Sequence, residues 1–395
     1  MELSELQALL TPAGLRLLDA MPPVDSSDDV ARAVTRLRRE GHSPDLVSAV
    51  VGQARLRTRG RAKFGDLAER MLFTRAGLEQ ATRLPIAARH AARFRDAGFA
   101  RVADLGCGIG GDALGLAALG LQVTAVDADD VTAAIAAYNL APFGTDVEVR
   151  HGTAESTDLD GVDAVWLDPA RRTAGHTETA RTRPEDWSPS LDWVFDLAHR
   201  LPAGVKLGPG LDRSLIPDEV EAQWVSADGS TVELVLWSGA LAREGVRRAA
   251  LVIRGDRAHE LTAEADAADE PARELGAFLH EPDGAVIRAR LIGDVARTLE
   301  AGMLDEHIAY LTSDAALTSP FVSTFRVREV LPADVKALAK ALREREIGRL
   351  EIKKRGVDVD PAALRTRLKL RGPGSATLFL TRIGSRRTAI LADRV

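Results

Sequence analysis

The chain has a single cysteine in 395 residues, Cys107. That excludes an intrachain disulfide and any zinc site built on cysteines. No apolar run reaches the roughly 18 residues that a membrane span requires. Internal repeats and low-complexity tracts are also missing. The first residues, Met1-Glu2-Leu3-Ser4-Glu5-Leu6, carry acids where a secretory signal carries lysine or arginine. The expectation is a cytoplasmic protein with neither metal nor membrane among its partners. What is present, 45% apolar and 28% charged residues, suits a soluble globular chain. Its length exceeds one ordinary core, so two or three domains are expected.

Charge is unevenly spread. From Pro320 to Val395 there are 18 Lys/Arg against 8 Asp/Glu, whereas the whole chain has a net charge of −6. A basic module on an acidic body suggests a polyanionic partner for the tail.

Residues 1–97 read as helices. Thr11-Pro12 and Ser43-Pro44 each place a capping residue before a proline at the first helical position. Apolar residues recur at helical spacing through Val30, Val34 and Leu37 and again through Leu46, Val47, Val50 and Val51. An alternating basic run follows: Arg55, Arg57, Arg59, Arg61 and Lys63. From 98 to 256 strands and helices alternate, which predicts an α/β domain with a parallel sheet. Strands are expected at 101–105, 122–127, 146–150, 162–167 and 204–208. Val232–Trp237 and Val246–Ile253 follow without an intervening helix, which predicts an antiparallel hairpin at the sheet edge. Residues 262–272 read as a linker and 276–320 as helical, so 257–320 is expected to bridge two domains. The remainder, 321–395, reads strand-helix-strand-helix-strand-strand, an α+β sandwich with one sheet face covered.

One segment carries most of the chemistry: Val102-Ala103-Asp104-Leu105-Gly106-Cys107-Gly108-Ile109-Gly110-Gly111-Asp112, followed by a second apolar run ending in Asp127. An apolar run, an acid, a glycine turn and a helix build a nucleotide-sized crevice. Asp127, 23 residues after Asp104, is placed to accept hydrogen bonds from ribose hydroxyls. Gly106, Gly108 and Gly111 also fit a dinucleotide fingerprint. Asp104 argues against a diphosphate there, because its carboxylate would repel one. It suits a ligand bearing a cationic amine, such as S-adenosylmethionine, with Gly106, Gly108 and Gly110 forming the cradle. His151-Gly152-Thr153-Ala154 follows the third strand, where adenine would lie.

The fourth predicted strand ends Val165-Trp166-Leu167-Asp168-Pro169-Ala170-Arg171-Arg172. In doubly wound sheets ligands bind beyond the carboxyl ends of the strands. Asp168 and the carbonyl of Pro169 are placed to accept hydrogen bonds from a nitrogen being methylated, aiming its lone pair at a donor. Methylation at C5 of a pyrimidine needs a cysteine nucleophile. Cys107 lies inside the donor loop, so direct transfer to nitrogen or oxygen is expected. The polar stretch 173–187, with His176, Arg181, Arg183 and Trp187, reads as a lid or a plain loop.

These motifs resemble a known group. Asp104 to Asp127 with Asp168-Pro169 resembles the trimethylguanosine-synthase branch of class I S-adenosylmethionine-dependent methyltransferases. Lys63-Phe64 and Leu72-Phe73 are similar to that branch's N-terminal extension, which reaches donor and substrate. Ile347 to Val359 looks like the THUMP-like domain of bacterial methyltransferases. The resemblance implies a Rossmann-like methyltransferase sheet, a helical N-terminal region and a C-terminal THUMP-like domain. It implies donor binding at the glycine loop and Asp127, and suggests RNA, tRNA or rRNA, as substrate. The cap-methylating branch ends its fourth strand Ser-Pro-Pro-Trp. Here the tryptophan's position is Arg171, which can stack on a base but carries no guanine-N2 specificity over. Lys353, Lys354, Arg355 and Lys369, with Lys336, Lys340, Arg343, Arg365 and Arg367, are the expected RNA contacts. The alternatives are a methyltransferase acting on a small molecule or protein, and a non-catalytic donor-binding RNA chaperone.

Overall fold

A computed structural model describes residues 1–171 and 186–395, with the backbone alone at Arg171. The chain divides into two compact units, Met1–Leu207 with Leu236–Ala242, and Gly208–Val235 with Arg243–Val395.

The first unit begins with six α-helices: α1 (Leu3–Leu9), α2 (Pro12–Asp19), α3 (Ser27–Arg39), α4 (Pro44–Phe64), α5 (Arg75–Gln80) and α6 (Leu84–Asp96). Capping matches the sequence pattern. Thr11 Oγ1 accepts from the N–H of Gly14, Ser43 Oγ from that of Leu46, and prolines sit at the first helical positions. The basic run on α4 splits by helical geometry. Arg57 is buried, donating to the Met71 carbonyl at 2.9 Å and to Asp19 at 2.9 Å. Lys63 donates to the carbonyls of Glu79 and Ala81. Arg57 is thus committed inside the protein, and Lys63 is tied to backbone carbonyls at a half-buried position. Arg55 and Arg59 remain on a groove with Arg75.

Next come β1 (Arg101–Leu105), α7 (Gly111–Ala118), β2 (Gln122–Asp127), α8 (Asp130–Leu140), β3 (Val147–His151) and β4 (Ala164–Leu167). A two-residue pair follows, β5 (Ala170–Arg171) against β6 (Trp187–Ser188), then α9 (Leu191–Arg200) and β7 (Ala203–Leu207). The five long strands are parallel in the order β3-β2-β1-β4-β7. β1, β4 and β7 are almost wholly buried, as expected of strands covered on both faces. The chain reverses direction across the sheet between β1 and β4. That reversal opens a crevice at their carboxyl ends, where ligands bind in such sheets.

In the second unit, β8 (Glu221–Ala227) is a strand that the sequence reading missed. It leads into β9 (Ser230–Trp237) through Asp228-Gly229, whose φ values of 51° and 82° make a two-residue hairpin turn. The expected hairpin between Val232–Trp237 and Val246–Ile253 is therefore replaced. β9 turns back on β8, and β10 (Arg248–Arg254) runs parallel to β8. β11 (Arg257–Ala263) then pairs antiparallel with β10.

Residues 276–320 are not helical as expected. They form β12 (Phe278–Pro282), two short helices, α10 (Gly284–Arg288) and α11 (Ile292–Thr298), then β13 (Gly302–Asp305) and β14 (Ile308–Ser313). These strands join β15 (Val322–Leu331), β16 (Ile347–Lys354), β17 (Gly374–Ile383) and β18 (Arg386–Arg394). The seven-stranded order is β13-β14-β12-β15-β18-β17-β16. Helices α12 (Val335–Glu344) and α13 (Pro361–Leu368) pack Leu338, Leu342, Leu364 and Leu368 against Leu378 and Leu391. The opposite face is equally apolar: Phe379 and Ile390 meet Leu279, Leu304, Tyr310 and Phe325. The expectation of one covered face fails because the segment read as bridging helices supplies the second cover.

Candidate functional site

The glycine loop is fixed by β2. The N–H groups of Gly106 and Cys107 both donate to the Val126 carbonyl at 2.9 Å. Gly106 has φ +94°, and a Cβ there would lie 2.9 Å from the carbonyl oxygen of Asp168. Only glycine meets both constraints. The loop after β1 and the corner after β4 are therefore in direct contact, an arrangement completed by the Asp168 N–H donating to Leu105 O at 3.3 Å.

Asp127, at the end of β2, accepts from Gly108 N at 2.9 Å through Oδ2 and from Asp129 N at 2.9 Å through Oδ1. Burial raises its pKa, opposed by those two N–H groups. Each oxygen keeps a lone pair for a further donor. Gly110 caps α7 in the left-handed conformation. Gly152 N donates to Asp127 O at 3.0 Å, which sets the turn containing buried Ala154 beside the same strand end. His151 is exposed and its Nε2 lies 3.1 Å from Ala128 O, apart from any catalytic arrangement. Cys107 is buried; burial, then Asp104 and Asp127, push its thiol pKa well up. A thiol held neutral is a poor nucleophile.

Asp104 is the anomaly. It is 1% exposed, and among the described residues neither carboxylate oxygen makes a well-formed hydrogen bond, the Ala113 N–H giving only a weak one. Burial, then the carboxylates of Asp112 and Asp168, push its pKa well above the usual range, against the pull of Lys206. A buried, unsatisfied carboxylate is costly unless a ligand completes it. A cationic amine supplies both charge and donors.

Behind the Asp168 corner lies a chain of buried polar groups. Lys206, on β7, puts Nζ 2.6 Å from Asp168 Oδ2 and 3.7 Å from Asp112 Oδ2, and donates to Thr82 Oγ1 at 3.0 Å. Thr82 donates to Asp112 Oδ2 at 2.7 Å, and His90 Nδ1 lies 2.9 Å from Asp112 Oδ1. Burial opposes the ionisation of Asp112, but Lys206, His90 and Thr82 hold its pKa low, at about 2. The chain rests on an aromatic floor. His90 lies over Trp166 with centroids 4.4 Å apart, and Trp166 packs on Trp237 at 5.7 Å. A Cβ on Gly204 would meet the Trp166 ring at 2.6 Å.

The helical region reaches the loop directly. Asn139, on α8, accepts from Leu72 N at 2.8 Å and donates to Leu72 O at 3.0 Å and Ile109 O at 2.9 Å. Phe64 and Phe73, highlighted by the sequence, are buried against each other with centroids 5.8 Å apart.

Lys206, Asp112, His90, Thr82 and Asn139 escaped the sequence reading as site residues. Lys206 alone left a signal, a lysine inside the otherwise uncharged strand Ala203-Gly204-Val205-Lys206-Leu207. Asp168 and Pro169 stand where the sequence put them, beside the glycine loop. Arg171 pairs its backbone with Trp187, which is buried. His176, Arg181 and Arg183 of the expected lid lie outside the described residues.

Of the expected RNA contacts, Lys353 and Arg355 share a cleft of about 580 Å³ with Arg254 and Arg394; Lys354 and Lys369 do not line it. Lys353 is held by Glu281 at 2.6 Å and Glu351 at 3.3 Å. Arg355 donates to Ala309 O and covers the Tyr310 ring. Asp228, Glu281 and Asp283 also line the cleft, so its cations are largely balanced. Lys354 and Lys369 are exposed.

A methyltransferase-domain family model matches residues 102–184, and a THUMP domain-like model matches 322–394. A model for a domain of unknown function matches 2–60. An uncharacterised S-adenosylmethionine-dependent methyltransferase of Mycobacterium tuberculosis, found in two strains, is 34% identical over 359 residues, covering 89% of this chain and 96% of its own. A crystal structure from Porphyromonas gingivalis, assigned by name to the methyltransferases, has the same fold. Its TM-score is 0.72 at 22% identity, over 94% of this chain and 99% of that one.

Proposed function

The chain belongs to the S-adenosylmethionine-dependent methyltransferases, and on that premise we propose that it methylates a nitrogen of an RNA base by direct transfer. When bound, S-adenosylmethionine supplies an electrophilic methyl group on a sulfonium. Asp104 receives the donor's ammonium, which explains its unsatisfied burial. Asp127 accepts from the ribose hydroxyls, while Gly106, Gly108 and Gly110 let the backbone approach and Ala154 borders the adenine.

The acceptor sits at Asp168-Pro169. The Asp168 carboxylate and the Pro169 carbonyl take hydrogen bonds from the amine and direct its lone pair at the methyl carbon. Held in this way, the amine would take the methyl group through its lone pair as the sulfur leaves with the carbon–sulfur electrons, and its proton would pass to water. Orientation of this kind supplies much of the barrier reduction in a group transfer. The contact between Gly106 and Asp168 carries this reading, because it joins donor loop and acceptor corner at the sheet's switch point.

RNA as substrate is supported by the THUMP-like match and the basic balance of residues 320–395. Lys353, Lys354, Arg355 and Lys369 are the proposed docking residues, with Arg171 beside the base. The test is mass-spectrometric comparison of modified nucleosides in total RNA from cells with and without the gene. Loss of one methylated nucleoside on deletion, restored by wild type but not by Asp168→Ala, is the expected result. Identical nucleoside profiles would direct the activity to a protein or small molecule.

A further inference from the structure

The polar chain behind Asp168 places a lysine in a core strand. β7 is buried along its length, and the Lys206 side chain is only 10% exposed. A lysine there is expensive unless its ammonium is matched by charge. Asp112 is already satisfied by His90 and Thr82, and Lys206 lies closer to Asp168, at 2.6 Å against 3.7 Å. The ammonium is therefore committed chiefly to the acceptor corner.

We infer that Lys206 is a positioning residue for methyl transfer: it fixes Asp168 as an oriented carboxylate that accepts the substrate amine. The inference rests on the reading of Asp168-Pro169 as the acceptor site. Three elements hold Lys206 in turn. Thr82, between α5 and α6, accepts its N–H; Asp112 in the first turn of α7 faces it; and His90 of α6 braces Asp112. Among the described residues, the charged and titratable groups around Asp168 are Asp104 from β1, Asp112 from α7 with His90 behind it, and Lys206 from β7. Two of these neighbours are carboxylates, and Lys206 is the cation among the described residues that faces all three. A protonated Asp168 would present an O–H donor where the amine needs an acceptor. By pairing with one oxygen, Lys206 favours the carboxylate form and so keeps the corner an acceptor.

The test uses the full chain, with Lys206→Met and Lys206→Gln beside Asp168→Asn, Asp168→Ala and the Lys206→Met/Asp168→Asn double variant. The first readout needs no substrate. The carboxyl carbon resonance of Asp168, assigned by its disappearance in Asp168→Asn, titrates about 1–3 pH units higher in Lys206→Met than in wild type. The second is the rate–pH profile with labelled donor and RNA from a strain lacking the gene. Its acid limb moves upward in both Lys206 variants. Calorimetric donor affinity stays within about threefold of wild type, because a positioning role leaves the donor pocket intact. The double variant is no slower than Asp168→Asn, because that substitution has already removed the carboxylate that Lys206 orients at the acceptor corner.

An unmoved Asp168 resonance in Lys206→Met overturns the inference. So does additive loss in the double variant, or a collapse of donor affinity in both Lys206 variants, which would make Lys206 merely structural. Full methylation by Asp168→Ala would instead remove the acceptor reading on which the inference stands.

Discussion

Asp104 has opposite consequences for stability and for binding. Its pKa is raised on folding, mainly by burial, so the native state keeps a proton that the unfolded chain releases. Stability contributed by this group therefore falls as pH climbs from the ordinary carboxylate range toward the raised value. Asp112, with a folded pKa of about 2, works in the other direction, and its contribution is lost only as pH falls below the ordinary range. Asp104→Asn should flatten the decline in melting temperature above the ordinary carboxylate range while weakening donor affinity by at least about tenfold, through loss of a charge-assisted contact. Melting curves across pH and donor calorimetry check both, and an unchanged donor affinity would refute the assignment of Asp104 to the ammonium. Gly106→Ala is a second case. Its Cβ would press on the Asp168 carbonyl, and its φ of +94° is unfavourable to any side chain. Methylation should fall by two orders of magnitude or more from misplacement of the corner, and a wild-type rate would count against the shared wall.

Elements decide which residues can cooperate. Asn139 shows how: one amide on α8 holds both backbone polar groups of Leu72 and the carbonyl of Ile109. Asn139→Leu keeps the volume but strands those groups in the core. The expected loss is about 2–4 kcal/mol in denaturant unfolding, together with weaker donor binding, since Ile109 lies in the glycine loop. Retention of both properties would mean that the helical region and the loop are held by packing alone. Gly204 acts from the other side of the site. Gly204→Ala would force the Trp166–Trp237 stack apart, at about 1–3 kcal/mol, measurable by the same unfolding experiment.

For the whole molecule, RNA docking predicts a steep salt dependence. Each phosphate neutralised steepens the log–log slope by about 0.7 on a single strand and 0.9 on a duplex. Lys354→Glu with Lys369→Glu should flatten that slope in anisotropy titrations against total tRNA. Both side chains are exposed, so the change leaves the core undisturbed. An unaltered slope would move the docking surface elsewhere, to the Arg55, Arg59 and Arg75 groove first.

The order of strands and helices through β4 could be read from residues alone, because buried parallel strands leave apolar runs and glycine turns leave gaps in the pattern. Asp104, Gly106, Asp127 and Asp168 stood out because each ends a strand, and strand ends are local. The strand-helix-strand-helix-strand-strand order of 321–395 was legible too, and its second helix, Pro361–Leu368, starts after an aspartate cap with a proline at the first helical position. β8 was missed because Glu221 and Gln223 break its apolar pattern. Those two are buried by pairing with Arg243 and Glu260, partners that no local pattern indicates. The strands β12 to β14 were likewise hidden: short strands with small residues look helical until a sheet face needs covering. Which carboxylate goes unpaired and which lysine reaches across to Asp168 depended on distances between segments up to 124 residues apart. Sequence therefore determined the class, and it singled out the glycine loop and the Asp168-Pro169 corner as the candidate site. Only tertiary packing decided the charge arrangement behind them, because burial and pairing are properties of a place that several distant segments build together.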